Sequence, residues 1–194
     1  MVVVAGIDLA GSEKRSTGYC IISKKGEKYG IAFSDKDIIE VCKGATHIGI
    51  DAPLSLPKGR KCIGKIGPQF RECDLELRKL GIKFFPIFLG PMRKLTERGI
   101  RLKKALEKSG AKVYEVYPGA TYDLFGISRK DKEAIASWIE NEAGIKVNPE
   151  QPQDVMDAIC AAITIKLFIE GKGYEAGCKK EGTIVLPERK GSIF

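Results

Sequence analysis

The chain has 194 residues, a net charge of +8 and a hydrophobic fraction of 43%. Its length favours a single domain, since domains commonly hold about 100–200 residues, and its hydrophobic content excludes wholesale disorder. No apolar run approaches the roughly 18 residues that a membrane span needs. The apolar start at residues 2–8 also lacks the basic segment of a signal peptide. We therefore expect an intracellular, cytoplasmic protein without a membrane partner.

Hydrophobic periodicity along the chain predicts an α/β domain. Strands are predicted at residues 2–8, 17–23, 27–33, 46–51, 112–117 and, in the tail, 183–187. Helices are predicted at residues 35–43, 71–80, 92–109, 131–143 and 153–170. Residues 52–70 are rich in Pro, Gly and Lys and should form a loop. Three antiparallel strands, a helix and then a strand that returns beside the first describe an ordered topology.

The six cysteines form neither a disulfide pattern nor a metal-binding pattern. They are Cys20, Cys42, Cys62, Cys73, Cys160 and Cys178. No C-x-x-C pair is present, and a chain of this size does not need disulfide bonds to fold. The single histidine also disfavours a zinc site. We expect free thiols that mostly fill the core.

Acidic residues stand where two predicted strands end. Asp8 ends the first strand and Asp51 ends the fourth. In an open α/β sheet the functional crevice lies beyond the carboxyl ends of the strands, so these side chains meet there if their strands are parallel neighbours. Glu115 lies near the end of a later strand and is a candidate to join them. Asp154 and Asp157, one turn apart at the start of the last helix, share one face of that helix.

Three or four carboxylates in one cleft cannot all stay ionised without cations. Mg²⁺ and Mn²⁺ prefer such oxygen ligands, and two ions about 4 Å apart would clamp the attacking and leaving oxygens of a phosphodiester. Each residue alone has a simpler interpretation. A strand-ending Asp can serve a turn, Asp154 suits a helix N-terminus, and Glu115 can pair with a lysine. Together, on the predicted topology, they favour a metal cluster.

The positive charge is concentrated in one stretch. Residues 58–108 hold 15 of the 33 Lys and Arg residues but 5 of the 25 acidic ones. Such a patch is typical of surfaces that bind nucleic acid, although a solvated Lys- and Glu-rich surface has the same composition. The candidates for binding phosphate are Arg60, Lys61, Arg71 and Arg78. The alternative for Arg71 is a structural ion pair inside the fold with Asp74, in the motif RECD at 71–74.

Five segments carry a resemblance to a known family. They are AGIDLAGSEKRSTGY at 5–19, IGIDAPLSLP at 48–57, RECDLELRKLGIKFFP at 71–86, EVYPGAT at 115–121 and DVMDAICAAITIKL at 154–167. As a set they resemble the family called domain of unknown function 429, predicted nucleases with a ribonuclease H-like fold. The resemblance implies a mixed central sheet, three antiparallel strands and then parallel ones, flanked by helices. We expect one such domain over residues 1–194, with a basic loop and helical insertion at about 52–110.

RuvC-like resolvases share the arrangement more distantly. They have an Asp on the first strand, an acidic residue on the fourth and two acidic residues a turn apart on a late helix. This resemblance implies catalytic and metal-binding roles for Asp8, Asp51, Asp154 and Asp157, although RuvC-like enzymes have Glu where this chain has the shorter Asp51. RuvC-like enzymes act as dimers, which makes a homodimer a candidate state here. Glu115 is a motif residue of the closer family and joins the catalytic candidates.

The resulting hypothesis is a metal-dependent nuclease that hydrolyses phosphodiester bonds of DNA or RNA. Asp8 would bridge two Mg²⁺ or Mn²⁺ ions, Asp51 would hold one of them, and Asp154 or Asp157 the other. The basic stretch would bind the phosphate backbone, which gives affinity without sequence information.

Two other functions stay open. The same fold can serve a nucleic-acid-binding or interaction module that has no catalytic activity. The segment GIDLAGS, with Thr17 and Gly18 after it, also resembles the phosphate-binding start of sugar kinases and heat-shock ATPases. That likeness favours a nucleotide-binding phosphotransferase. Those proteins duplicate the core, however, and a chain of this length holds one copy.

Overall fold

The computed structural model describes residues 2–188 and contains every predicted strand and helix. The strands are β1 (Val4–Asp8), β2 (Thr17–Ser23), β3 (Gly26–Ala32), β4 (His47–Asp51), β5 (Lys112–Val116), β6 (Gly173–Cys178) and β7 (Gly182–Pro187). The helices are α1 (Asp35–Val41), α2 (Glu72–Lys79), α3 (Pro91–Glu107), α4 (Pro118–Leu124), α5 (Lys132–Ala143) and α6 (Gln153–Ile169). The ends of the predicted elements shift by a few residues at most. The elements α4 and β6 were not predicted.

The strands of the described chain form one sheet in the order β3-β2-β1-β4-β5-β7-β6. Strand β2 pairs antiparallel with both β1 and β3, whereas β4, β5 and β7 extend the sheet from the other side of β1 in parallel. Strand β6 adds an antiparallel edge beside β7. The predicted mixed sheet, with three antiparallel strands followed by parallel ones, is confirmed.

Helices cover both faces of the sheet. Helix α6 lies along one face in a core that it shares with α5. On the opposite face, Leu102 and Leu106 of α3 pack with Ile38 of α1 against Ile7 and Ile50 of the central strands. Because side chains alternate along a strand, each strand contributes to both cores.

Two further features concern the cysteines and the lengths of the helices. All six cysteines are free, and four of them are buried. None of the helices within residues 2–188 combines the length and the hydrophobicity that crossing a membrane requires.

Candidate active site

The first and fourth strands end in a pair of aspartates. Strands β1 and β4 are parallel neighbours, and their register places Asp8 opposite Asp51. Alternation along β1 puts Asp8 on the same face as Val4, whose side chain packs in the α6 core. The structure therefore brings the two carboxylates together at the carboxyl ends of the strands, under the start of α6.

Two glycines bring α6 down onto this pair. A Cβ atom at Gly6 would overlap the main-chain carbonyl oxygen of Ala158 in α6, and one at Gly18 would overlap the Asp154 carbonyl. A residue without a side chain is needed where a helix backbone approaches a strand this closely. The close packing places Asp154 and Asp157, in the first turns of α6, over the strand ends.

The carboxylates are close enough to act on one another. Burial, followed by the charges of Asp51 and Asp157, raises the pKa of Asp8 well above its usual value. Asp154 adds a smaller increment to the same shift. Burial and then the charge of Asp157 raise the pKa of Asp51, and burial raises the pKa of Asp157 itself. The cleft thus concentrates negative charge that a bound cation would relieve.

Hydrogen bonds orient the two helix carboxylates. Oδ1 of Asp157 accepts a hydrogen bond from the Tyr122 hydroxyl at 2.8 Å and another from Nε2 of Gln153 at 2.9 Å. Oδ2 of Asp154 accepts a hydrogen bond from the Ser16 hydroxyl. No hydrogen bond within residues 2–188 uses Oδ2 of Asp157, so this oxygen is left for a ligand in the cleft. Partners of this kind fix the orientation of a metal-binding carboxylate.

Two arginines that the sequence patterns did not indicate stand beside the carboxylates. Burial is the largest influence on the pKa of Asp8 and raises it, whereas Arg15 lowers it. Burial is also the largest influence on the pKa values of Asp51 and Asp157 and raises both, whereas the charge of Arg129 lowers them. The cleft therefore presents both carboxylates and cations.

Arg129 is held in place by its own partners. Its guanidinium donates to both carboxylate oxygens of Asp123, at 3.0 and 2.6 Å, and to the Tyr117 hydroxyl at 2.7 Å. Arg129 follows α4, which was not predicted, so no sequence signal placed it at the site. Gln153 was detectable, because it precedes Asp157 by four residues and thus shares its helix face.

Glu115 lies near the strand aspartates, where burial and then neighbouring charges, its own included, raise the pKa of Asp51, but its carboxylate is turned away from the pair. It lies one residue before Val116, the register partner of Asp51, so its side chain points to the opposite face of the sheet. There its carboxylate accepts two hydrogen bonds from the Arg71 guanidinium, at 2.6 and 2.7 Å. The backbone N–H of Leu54 donates a third at 2.8 Å. Both oxygens of Glu115 are therefore engaged in a buried ion pair.

Arg71 is an interior residue. Only 1% of its surface is exposed, and it also donates to both oxygens of Asp74, at 2.8 and 3.2 Å. The predicted role of Arg71 in binding phosphate does not fit this position, because its guanidinium is buried and already paired with two carboxylates. The alternative interpretation, a structural pair with Asp74, describes what the structure contains.

The other basic candidates occupy different settings. Lys61 and Arg78 are exposed, and the guanidinium of Arg78 lies 4.3 Å over the ring of Phe70. Arg60 is half-buried and directs its guanidinium at main-chain carbonyl groups of its own loop. The side chains of Lys61 and Arg78 are thus exposed to solvent, whereas the guanidinium of Arg60 is occupied within its own loop.

A cavity of about 190 Å³ opens beside Asp8 and Asp51. Arg71 and Glu115 contribute to its lining. The apolar part of the lining includes Phe84, Phe85, Ile87, Met92 and Leu95. An apolar wall next to charged groups can receive the uncharged part of a ligand and keeps water away from the site.

The donor chemistry of the aspartates fits Mg²⁺ or Mn²⁺, since both ions prefer carboxylate oxygens. The spacing of the side chains is wider than that of a formed metal site. Within residues 2–188, no three acidic, histidine or cysteine side chains converge closely enough to hold an ion. Completing a ligand set would take rotation of side chains at the strand ends, for example toward the unused Oδ2 of Asp157.

The sheet order and its helices define a ribonuclease H-like α/β fold, as predicted. Among solved structures, the chain resembles Thermus thermophilus RuvC in complex with a Holliday junction substrate. The TM-score is 0.51 at 14% identity, over 88% of this chain and 96% of that one. A second structure of Thermus thermophilus RuvC gives a TM-score of 0.49 at 15% identity, with 88% and 96% covered. At such identities the likeness shows the fold alone.

No family model and no curated protein matches the chain. The resemblance to domain of unknown function 429 therefore stays a prediction.

Proposed function

We propose that the protein is a metal-dependent nuclease that hydrolyses phosphodiester bonds. The observation that carries the proposal is the meeting of Asp8, Asp51 and Asp157 at one end of the sheet, where burial first and neighbouring charge second raise the pKa of the two strand aspartates. Carboxylates with such shifts, in a cleft, are typical of functional sites. The ribonuclease H-like fold is a nuclease-type fold and supports the same conclusion.

The carboxylates would share the roles of metal ligands. Asp8 would bridge two ions, because it lies beside Asp51 in the sheet and its pKa is raised by burial and then by the charges of both Asp51 and Asp157. Asp51 would hold one ion and Asp157 the other. Beyond the larger effect of burial, the charge of Asp157 raises the pKa of both strand aspartates, whereas the charge of Asp154 raises the pKa of Asp8 but not that of Asp51. Asp157 therefore lies nearer than Asp154 to the strand pair. Bound Mg²⁺ or Mn²⁺ would polarise the phosphoryl oxygens and lower the pKa of water. Glu115 is outside this set because both of its oxygens are engaged.

The proposed substrate is a nucleic acid, either DNA or RNA. The exposed cations Arg93 and Lys94 lie in the first turn of α3, next to Met92 and Leu95 of the cavity wall. Farther along the helix and directly after it follow the exposed cations Arg101, Lys104 and Lys108. Contacts from such residues to phosphates position a strand without reading its sequence. One RuvC structure that resembles this chain is a complex with a Holliday junction substrate, which places four-way junctions among the substrates to test.

The experiment is a cleavage assay with labelled single strands, duplexes, RNA–DNA hybrids and four-way junctions in Mg²⁺, Mn²⁺ or EDTA. Cleavage that needs metal and disappears in Asp8→Asn would support the proposal. Glu40→Gln is the matched control, since Glu40 is an exposed acidic residue that pairs with Lys43 on the surface of α1. A wild-type protein that cleaves none of these substrates in either metal would overturn the proposal.

A binding module without catalytic activity is the second candidate function. The carboxylate spacing favours it, because the described residues contain no group already converged on a metal position. Such a module would bind nucleic acid equally well in EDTA, and Asp8→Asn would leave its affinity unchanged. Metal-dependent affinity that Asp8→Asn removes would exclude this candidate.

A further inference from the structure

One side chain holds together the loop at residues 60–68, named here the Arg60 loop. The guanidinium of Arg60 donates hydrogen bonds of 2.6–3.5 Å to main-chain carbonyl groups of the same loop. These carbonyl groups belong to Cys62, Ile63, Lys65, Gly67 and Pro68. Carbonyl groups that would otherwise need water find their partner inside the loop, so the path of its main chain is fixed.

The Arg60 loop buries one isoleucine and projects another. Ile63 is 5% exposed, whereas Ile66 is 106% exposed, which is the highest value among the large hydrophobic side chains of residues 2–188. Single exposed hydrophobic residues are common on protein surfaces. This one differs because it stands on a loop whose main chain is fixed by an internal guanidinium. An apolar side chain presented in this way is positioned to enter a partner.

The charge carried by the Arg60 loop favours a polyanion as the partner. Lys61 and Lys65 are exposed on the same loop. No acidic residue occurs in the sequence from Lys58 to Arg71. A partner that accepts an apolar side chain flanked by two cations needs an apolar interior and a negatively charged exterior. Nucleic acid has both, since its stacked bases are apolar and its phosphates are charged.

The Arg60 loop adjoins the proposed active site. The guanidinium of Arg60 lies 5.5 Å from the ring centroid of Phe88, and Nη2 of Arg93 lies close to Gly64. Phe88 and Arg93 belong to the segment that also forms the apolar wall of the cavity. The Arg60 loop therefore packs against the segment that carries the apolar wall, on the side where a nucleic-acid strand leaving the cavity would pass it.

We propose that Ile66 is a wedge that inserts between adjacent bases of a nucleic acid bound at this site, with Lys61 and Lys65 contacting the flanking phosphates. Aliphatic side chains inserted into base steps unstack them and kink the helix. Arg60 is a positioning residue that holds the loop, and it does not contact phosphate. The inference rests on the nucleic-acid binding of the proposed function, but it does not require cleavage.

The test uses the full chain and oligonucleotides that carry 2-aminopurine, a base whose fluorescence rises when it is unstacked. The base is placed at successive positions of a single strand, a duplex and a four-way junction, and EDTA or Ca²⁺ prevents cleavage. The wild type should give a several-fold rise in fluorescence at one or two positions. Ile66→Ser should lose this rise, and Ile66→Leu should keep it. Anisotropy measures affinity in the same samples.

Two further variants distinguish the role of Arg60 in fixing the loop from the role of the positive charges in binding phosphate. Arg60→Lys keeps the positive charge but cannot bond the same set of carbonyl groups, so it should lose the fluorescence rise as Ile66→Ser does. A thermal melt checks that its fold is kept. The double variant Lys61→Ala, Lys65→Ala should weaken binding and reduce the slope of log affinity against log salt by about 2. At a protein concentration that saturates the oligonucleotide, this double variant should still give the rise in 2-aminopurine fluorescence.

Each outcome decides the inference. Binding by the wild type without a rise at any position would overturn the wedge, and so would a full rise in Ile66→Ser, the result expected if Ile66 instead seats in a partner protein. A full rise in Arg60→Lys would overturn the role of Arg60. A rise that depends on Ile66 in a protein that cleaves nothing would support the wedge and overturn the nuclease. Failure to bind any nucleic acid would overturn both.

Discussion

Asp8 is the register partner of Asp51 in the parallel pairing of β1 with β4, so two carboxylates lie side by side at one end of the sheet. Burial, followed by the charge of Asp51, raises the pKa of Asp8. Burial, followed by the charge of Asp157, raises the pKa of Asp51. When these groups are ionised without a cation they oppose folding, which is the reverse of the effect of a stabilising ion pair. The arrangement therefore does not stabilise the metal-free fold, and this agrees with the metal-binding role proposed for it.

Replacing Asp51 by Asn should stabilise the metal-free protein at pH 7 and abolish cleavage. The amide keeps the shape of the side chain and removes one of the repelling charges. Each 1 kcal/mol gained raises the Tm by about 2–4 °C for a chain of this length. Calorimetry in EDTA measures the change. A Tm for Asp51→Asn below that of the wild type would show that Asp51 stabilises the fold and would contradict the electrostatic argument.

The same carboxylates should give stability a pH dependence of definite sign. The folded-state pKa values of Asp8 and Asp51 are raised above the ordinary value of 3.8, first by burial, so the folded state holds protons that the unfolded state releases. In EDTA their unfavourable contribution is absent below pH 3.8, grows as the pH rises from 3.8 to the folded-state values, and is constant above them. The Tm advantage of Asp8→Asn over the wild type should therefore widen from pH 3.8 upward and then level off.

Asp37 supplies the opposite case as a control. Hydrogen bonding by Ser34 lowers the pKa of Asp37, so Asp37 contributes stability that is present above its unfolded-state pKa and is lost as the pH falls. Asp37→Asn should therefore have a lower Tm than the wild type at neutral pH, with the gap closing in acid. If the Tm difference from the wild type changed with pH in the same direction for Asp8→Asn and Asp37→Asn, the pH dependence could not be attributed to the carboxylates of the cleft.

Titration with Mn²⁺ should distinguish the two helix carboxylates. A ligand at 100 times its Kd adds about 2.7 kcal/mol to the free energy of unfolding. Asp157→Asn should abolish the Mn²⁺-induced rise in Tm, because the free Oδ2 of Asp157 is the proposed ligand. Asp154→Asn, whose partner is Ser16, should keep most of the rise. The reverse ranking would make Asp154 the ligand.

The strands and most helices could be predicted because their hydrophobic patterns are continuous. Strands β1 and β4 are short apolar runs, each ending in Asp. The missed elements lack such a pattern. Strand β6 has glycine at positions 173 and 177, and glycine is rare inside strands. Helix α4 begins at Pro118 and Gly119, a pair typical of turns, although Pro also suits the first turn of a helix.

The aspartate pair could be predicted from the strand ends, but the position of Glu115 could not. A shift of one residue moves a side chain to the other face of a sheet, and the sequence does not set the register of β5 against β4 to one residue. Glu115 is the register partner of Ile50, whereas Val116 is the partner of Asp51. Its partner Arg71 lies 44 residues away in the sequence, and no local pattern separates a buried arginine from an exposed one.

Glu115→Gln should destabilise the protein strongly and leave cleavage intact wherever the variant is folded. Removing one partner of an isolated buried ion pair costs about 3–5 kcal/mol, and the loss here should lie near the lower end because Asp74 still neutralises Arg71. Urea unfolding measures the loss, and Glu107→Gln, which breaks a partly exposed pair with Lys103, should change stability by about 1 kcal/mol or less. Loss of cleavage with unchanged stability in Glu115→Gln would place Glu115 in the catalytic set.

Gly6→Ala should disturb stability and activity together. The new Cβ would overlap the main-chain carbonyl oxygen of Ala158, and a helix backbone cannot rotate aside as a side chain can. Overpacking of this kind costs about 1–3 kcal/mol, occasionally more, and the displaced α6 would carry Asp157 away from the strand aspartates. Gly64→Ala is the control for stability, since the nearest atom to its Cβ would lie 3.5 Å away. A Gly6→Ala protein with wild-type urea unfolding and cleavage would show that close packing of α6 on β1 does not build the site.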